Sequence, residues 1–299
     1  MSMLRHLTIT LCLLAVSLFA TAQSDLLIQA NARYQAGELD SARVLLDRAV
    51  KDEAFARSAE AWVLRGFVYK DLYKRDTQGP NAEMLRDEAL ASLYVGTEMD
   101  TQKQYLQNSR QAYDFLSKTI YNDAARALND MDEERALRLY GKYKEVMLRM
   151  DPNVSFKARD IEFDNALGTV YTKRFNKDRK QVNWYDLAVS TYKRVLAADS
   201  DNYGANYNLA TLYYNRGVYN IQQISAENTI LDLDTIQAVS REFFTLALPY
   251  MLKAHRMNPK RKETLLGLEG IHYSLQDAEE SEKFRQLYKE LEQDGGEQK

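Results

Sequence analysis

Residues Tyr207–Asn220 read YNLATLYYNRGVYN, with four tyrosines and no proline. Leu209, Ala210, Tyr213 and Gly217 recur three and four apart, which is one stripe of an α-helix. Tyr207, Thr211 and Tyr214, with Asn215 beside them, form a second stripe. A small residue followed three later by tyrosine returns elsewhere: Gly66 and Tyr69, Gly168 and Tyr171, Ala210 and Tyr213. A repeated small-then-bulky spacing describes helices that approach closely at the small residue, with the bulky one filling the flank.

Working outward, helical stretches close on similar words: MDT at Met99, MDP at Met150, ADSDN at Ala198 and MNPK at Met257. Each closes a run with a small residue followed four later by a bulky one. The pairs are Ala42 and Leu46, Ala89 and Leu93, Ala136 and Tyr140, Ala188 and Tyr192, and Ala247 and Met251. Only 4 prolines and 12 glycines occur in 299 residues, and apolar residues follow helical periodicity almost everywhere after Ser24. The expected fold is all-α.

These residues resemble the tetratricopeptide repeat family, whose pattern is W-x2-L-G-x2-Y, then A-x3-F, then P. WVLRGFVY (Trp62–Tyr69) matches W, G and Y, with Arg65 in the leucine slot. LGTVY (Leu167–Tyr171) and LATLY (Leu209–Tyr213) match without the tryptophan. Ala247, Met251, Ala254 and Pro259 fit the second half. The first unit fits by Ala30, Gly37, Ala42, Leu46 and Ala49, and the last by Leu266 and Gly267. The resemblance implies a superhelical solenoid of about six helix pairs over residues 23–293. A single pair cannot bury its apolar face, so pairs stack.

The pattern also departs from the family. Its period is about 34 residues, whereas helix ends here lie about 48 to 59 apart. The extra residues fall within pairs, near Gly79-Pro80, in Arg174–Asn183 and in Ile221–Ser240. The third unit, about Gln102–Pro152, lacks the Gly and Tyr of its first helix.

The N-terminus carries Arg5, an apolar run from Leu7 to Ala20, and the small residues Ala20-Thr21-Ala22. This is the pattern of a secretory signal over residues 1–22, the run being shorter than the roughly 20 residues of a spanning helix. The lone Cys12 would leave with it. The expectation is an exported protein, periplasmic or secreted, with no integral membrane segment after cleavage. Residues 294–299 (DGGEQK) are expected as a disordered tail.

Net charge is −3, with acids and bases interspersed. No basic block points to nucleic acid. The remaining histidines, His255 and His272, have no convergent partners, so no metal site is expected. DLD at Asp232–Asp234 begins like a calcium loop but lacks its glycine. NDMDEE (Asn129–Glu134) reads as a turn and helix N-terminus. No catalytic motif and no cofactor signature occur, so the expected protein is not an enzyme.

In the resembled family, the second stripe of each first helix looks into a concave groove that binds partner peptides. Carried over, the groove residues are Tyr207, Thr211, Tyr214 and Asn215 with Asn208 on one helix, and Asn165, Thr169 and Lys173 on the preceding one. The same slots fall on Glu60, Val63, Phe67, Lys70 and Asp71 in unit two, and on Arg261, Thr264, Leu268, Ile271 and His272 in unit six. Asn208 matches one asparagine of a carboxylate clamp used by some members, without the basic companions. The residues leave two roles open for Tyr207 and Tyr214, groove contact or packing against neighbouring helices. The function implied is a protein- or peptide-binding scaffold in the cell envelope. The alternative is an assembly component acting through its convex face, its edges or self-association as a homo-oligomer.

Overall fold

The computed structural model describes residues 26–296, with side chains described to residue 293. The signal segment and the last three residues lie outside the described residues. Among those described there are helices and turns only. The helices are α1 (26–35), α2 (Leu39–Ala49), α3 (Ala59–Arg75), α4 (Ala82–Met99), α5 (Leu106–Asn129) and α6 (Glu133–Met150), then α7 (Lys157–Lys177), α8 (Val182–Ala198), α9 (Tyr203–Ile221), α10 (Ile230–Met257), α11 (Lys262–Ser274) and α12 (Ala278–Gly296). The helix α12 takes in Asp294, Gly295 and Gly296, the first half of the expected tail.

The described residues divide into two compact units, one of residues 26–124 with 135–154, the other of 125–134 with 155–296. Inside each, consecutive helices pair antiparallel. In the first unit, Gly66 of α3 faces Leu93 of α4 while Gly96 of α4 faces Val63 of α3. In the second, Gly168 of α7 meets Tyr192 of α8, and Gly217 of α9 meets Phe244 of α10. All five second-helix alanines of the repeat pattern, Ala42, Ala89, Ala136, Ala188 and Ala247, are fully buried. Tyr69, Tyr171 and Tyr213 are buried beside them. The small-then-bulky spacing is therefore a helix-packing code.

Turns inside the pairs fall into two sets. Pairs α1–α2, α5–α6 and α11–α12 share one tight turn with a left-handed residue, Gly37 (φ 76), Met131 (φ 61) and Gln276 (φ 66). Each repeats the same two backbone bonds, for example Gly37 N–H to the Tyr34 carbonyl and Glu38 N–H to the Arg33 carbonyl. These are the paired 6→1 and 5→2 bonds of the Schellman helix stop. The α5–α6 pair, motif-poor in sequence, thus closes like its neighbours. The other three pairs hold the extra residues. These residues do not form long loops, since the links 76–81, 178–181 and 222–229 are short. Most of the added length extends the helices, above all α10, which has 28 residues. Asp232 accounts for the calcium-like DLD. It accepts hydrogen bonds from the Thr229 backbone N–H and hydroxyl in a capping box, and these hold its carboxyl below the ordinary range.

Arg65, the departure in the leucine slot, pins three helices together. Nε donates to Asp47 Oδ1 at 2.8 Å, Nη1 to Ser92 Oγ at 2.6 Å and Nη2 to Glu88 Oε2 at 2.8 Å. Its guanidinium lies 4.4 Å from the Tyr69 ring centroid. Arg65→Leu restores the family residue yet takes the cation from Asp47 and Glu88, while Asp47 keeps the Tyr69 hydroxyl and Ser92 the Glu88 carbonyl, so it should destabilise by about 1–2 kcal/mol. Equilibrium urea unfolding checks this, and a stabilised variant would show the network to be dispensable.

In the second unit, Phe284 of α12 sits between the two histidines. His255 meets it edge-on at 5.5 Å and His272 stacks on it at 5.6 Å, with His272 Nδ1 at 3.0 Å from Asp277 Oδ2. Burial first, then Lys283 and Arg256, push the His255 imidazole below its ordinary value of 6.5. The unfolded chain takes up a proton near pH 6.5 that the folded unit resists until lower pH. Stability from this group is therefore complete above about pH 6.5 and declines as pH falls. Unfolding midpoints at pH 7.5 and 5.5 should differ less in His255→Phe than in the wild type.

Candidate partner-binding grooves

The predicted groove residues of α7 and α9 lie on adjoining faces, and the structure employs several of them internally. Asn165 Nδ2 donates to the Ile161 carbonyl at 3.0 Å and to Asn202 Oδ1 at 3.2 Å. Asn202 is itself the α9 N-cap, accepting from Ala205 N–H. Asn165 thus ties α7 to the start of α9. Thr169 Oγ1 donates to the Asn165 carbonyl and lies 3.4 Å from the Tyr192 hydroxyl. Asn208 reaches that same hydroxyl from α9. These three side chains serve the packing of α7, α8 and α9, and the asparagine of the supposed clamp slot is among them.

The tyrosines of α9 divide. Tyr213 is buried. Tyr214 leans on Phe244 with ring centroids 5.6 Å apart, and its hydroxyl lies 2.8 Å from where a Cβ of Gly270 would be. It therefore spans α10 and α11 as a packing residue with one half-exposed edge. Tyr207 stacks flat on Tyr203 at 6.0 Å, an interplanar angle of 6°. Burial raises the Tyr207 phenol, which Thr211 hydrogen-bonds. Tyr203 in turn bonds Thr264 of α11 at 3.2 Å. Half-exposed Tyr207, Thr211 and Asn215, together with exposed Lys173, remain on the accessible face. Tyr214→Ala should cost about 1–2 kcal/mol, read by urea unfolding, and a cost below 0.5 kcal/mol would count against its packing role.

In pair six the carried-over slots are misplaced. Thr264, Leu268, Ile271 and His272 are buried, and only Arg261 is exposed. Gly267 faces Met251 of the preceding helix, whereas Gly66 and Gly168 face the second helix of their own pair. The sequence register is therefore shifted, and a shift of one residue turns a helix by about 100°. Val63 in unit two is likewise interior, packed on Gly96.

The open groove lies instead in the first unit, between α3 and α5. It encloses about 390 Å³. Phe67, Lys70 and Lys74 line one side, spaced i, i+3, i+7 along α3. Asn108, Gln111 and Phe115 line the other with the same spacing along α5. Both stripes are single helical faces. Lys70 lies over Phe67 at 4.4 Å and Lys74 over Phe115 at 4.9 Å. Phe115 is 38% exposed. Phe67 and Lys70 were legible from the repeat slots. Asn108, Gln111 and Phe115 were not, because α5 lacks the Gly and Tyr that would set its register. Their shared spacing with α3 was the available signal.

Among the described residues, no group of three His, Asp, Glu or Cys side chains converges as a metal site, and no helix is long and apolar enough to cross a membrane. No protein-family profile matches the sequence, and no curated protein matches it. Among solved structures, a monomeric mutant of IFIT1 with Gppp-AAAA is similar at TM-score 0.36 and 12% identity, over 84% of this chain and 46% of that one. The human IFIT1 dimer with PPP-AAAA is similar at TM-score 0.26 and 11% identity, over 85% of this chain and 68% of that one. This chain spans less than half the length of the first. The paired helices, their buried small residues and their recurring turn decide the fold class. The fold is a tetratricopeptide-like helical repeat.

Proposed function

We propose that this chain is a scaffold without chemistry of its own, exported to the cell envelope, that binds a protein or peptide partner along the exposed stripes of its first helices. The observation that carries this is the α3–α5 groove, where two matched helical stripes face each other across open space. An exposed phenyl with flanking amides and cations suits peptide contact. Tyr207, Thr211, Asn215 and Lys173 extend the accessible surface in the second unit. The export reading rests on residues 1–22.

Cross-linked pull-down from envelope extract tests the reading, comparing wild type with Phe115→Asp and with Tyr207→Ala/Asn215→Ala. All three are first shown to be folded by circular dichroism. A partner lost with Phe115→Asp places binding in the first unit. A partner retained by both variants sinks groove binding.

A second reading, an assembly component working through its edges, has its own observation. Ile230 and Leu231 at the start of α10 are 80% and 75% exposed. An apolar cleft of about 600 Å³, lined by Val218, Ile221, Phe244 and Tyr273 among others, opens between the ends of α9 and α11. Exposed apolar surface of this kind marks association. Light scattering over a wide concentration range should then report oligomers that Ile230→Asp/Leu231→Asp disperses, and monomers throughout would dismiss it.

A further inference from the structure

We infer that the α3–α5 groove selects an acidic peptide segment, one in which carboxylates flank an apolar side chain. The inference rests on the groove-binding reading and adds the chemistry of the partner. Two ammonium groups, Lys70 and Lys74, and two amides, Asn108 and Gln111, line the groove, and no carboxylate does. Of the acids near it, Asp71 pairs with Lys70 at 3.3 Å while also accepting the Tyr34 hydroxyl at 2.7 Å, so Lys70 shares its charge and Lys74 is the groove's uncompensated cation. Asp114 pairs with Lys118 at 2.6 Å, outside the lining. Lys74 has no carboxylate partner among the described residues.

Each ammonium rests over a phenyl ring, 4.4 Å for Lys70 and 4.9 Å for Lys74. The rings hold the lysine stems against the wall and position their charge beside the opening. The floor between them, Phe67 with Ala112 and Phe115, is apolar. A ligand that satisfies all of this presents anionic oxygens to the lysines, backbone groups to the amides and an apolar side chain to the floor. Asn108 and Gln111 each offer a donor and an acceptor, which match a peptide backbone. A single-stranded nucleic acid is also anionic, but it needs open aromatic faces for its bases, and here an ammonium lies over each ring.

The test is selection of a random twelve-residue peptide display library on the full chain, repeated on Lys70→Glu/Lys74→Glu and on Phe115→Asp. The expected result is enrichment of Asp and Glu around an apolar residue for wild type, and of Lys and Arg for the charge-reversed variant. A selected acidic peptide, followed by fluorescence anisotropy, should bind the reversed variant about tenfold or more weakly. Its affinity should also fall with added salt. Peptides that depend on Phe115 but carry no acidic bias would overturn the acidic partner and leave groove binding standing. Selection of no peptide that Phe115→Asp abolishes would overturn both. A twelve-nucleotide oligo-dT that binds more tightly than the best acidic peptide, and competes with it, would overturn the inference in favour of nucleic acid. Unchanged circular dichroism and melting of the reversed variant guard against misfolding, and because Lys70 is largely buried beside Asp71 the single variant Lys74→Glu, at an exposed position, repeats the test with the same expected weakening.

Discussion

Asp123→Ala should lower the unfolding free energy by about 3–5 kcal/mol, the cost of leaving a buried charge unpaired. Arg86 of α4 is completely buried. Its Nη1 donates to Asp123 Oδ2 at 2.6 Å and to Thr119 Oγ1 at 3.2 Å, both on α5. Nε and Nη2 are buried with no hydrogen-bond partner, and the guanidinium lies 5.5 Å from the Tyr73 ring of α3. Arginine cannot discharge by losing its proton. Removing Asp123 therefore leaves a full positive charge in the interior of the first unit. The double variant Arg86→Met/Asp123→Ala removes both charges and should recover most of the loss. Urea unfolding of wild type, single and double variants makes the comparison. A single variant within 1 kcal/mol of wild type would mean that water or a rearranged side chain compensates Arg86.

Gly96→Leu should be comparably damaging, at about 3 kcal/mol or more. A Cβ at residue 96 would lie 2.6 Å from Val63 Cγ2, 3.0 Å from Val63 N and 3.4 Å from the Ala59 carbonyl oxygen. Two of these three atoms are backbone of α3, so a rotamer change cannot relieve the contact and the two helices must separate. At Gly168 the neighbour is the Tyr192 ring, with its nearest atom at 2.7 Å. That ring is 1% exposed and has nowhere to turn, so Gly168→Leu should follow Gly96→Leu closely. Gly141 supplies the control. Nothing lies within 4 Å of its added Cβ, so Gly141→Ala should stabilise α6 by up to about 1 kcal/mol. Thermal melts of the three variants suffice, and equal losses at all three glycines would refute close helix approach as the cause.

Both predictions concern residues whose importance the local sequence does not announce. Gly96 stands in no repeat slot. Arg86 looks like any charged residue on an amphipathic helix. What makes each critical is a partner 33 or 37 residues away, and only the docking of α3, α4 and α5 brings it near.

The helical pairing itself was written in the chain. A small residue followed three or four later by a bulky one is a local rule, set by how near two helix backbones can come. Ala42, Ala89, Ala136, Ala188 and Ala247 follow it and are fully buried. Where a motif carries its own glycine and tyrosine, as in α3 and α7, the face turned inward was readable from that helix alone. Helix α5 has no such pair and α11 has its glycine against the wrong neighbour, so their registers depended on the helices packed around them. The same limit governed the groove. Spacing placed Phe67 and Lys70 on an outward stripe, but it did not show which neighbouring stripe they face. That Asn108, Gln111 and Phe115 lie across from them, while Asn165, Thr169 and Asn208 turn inward to brace α7, α8 and α9, was decided by tertiary packing. A stripe on one helix becomes a site only when a second helix is held opposite it.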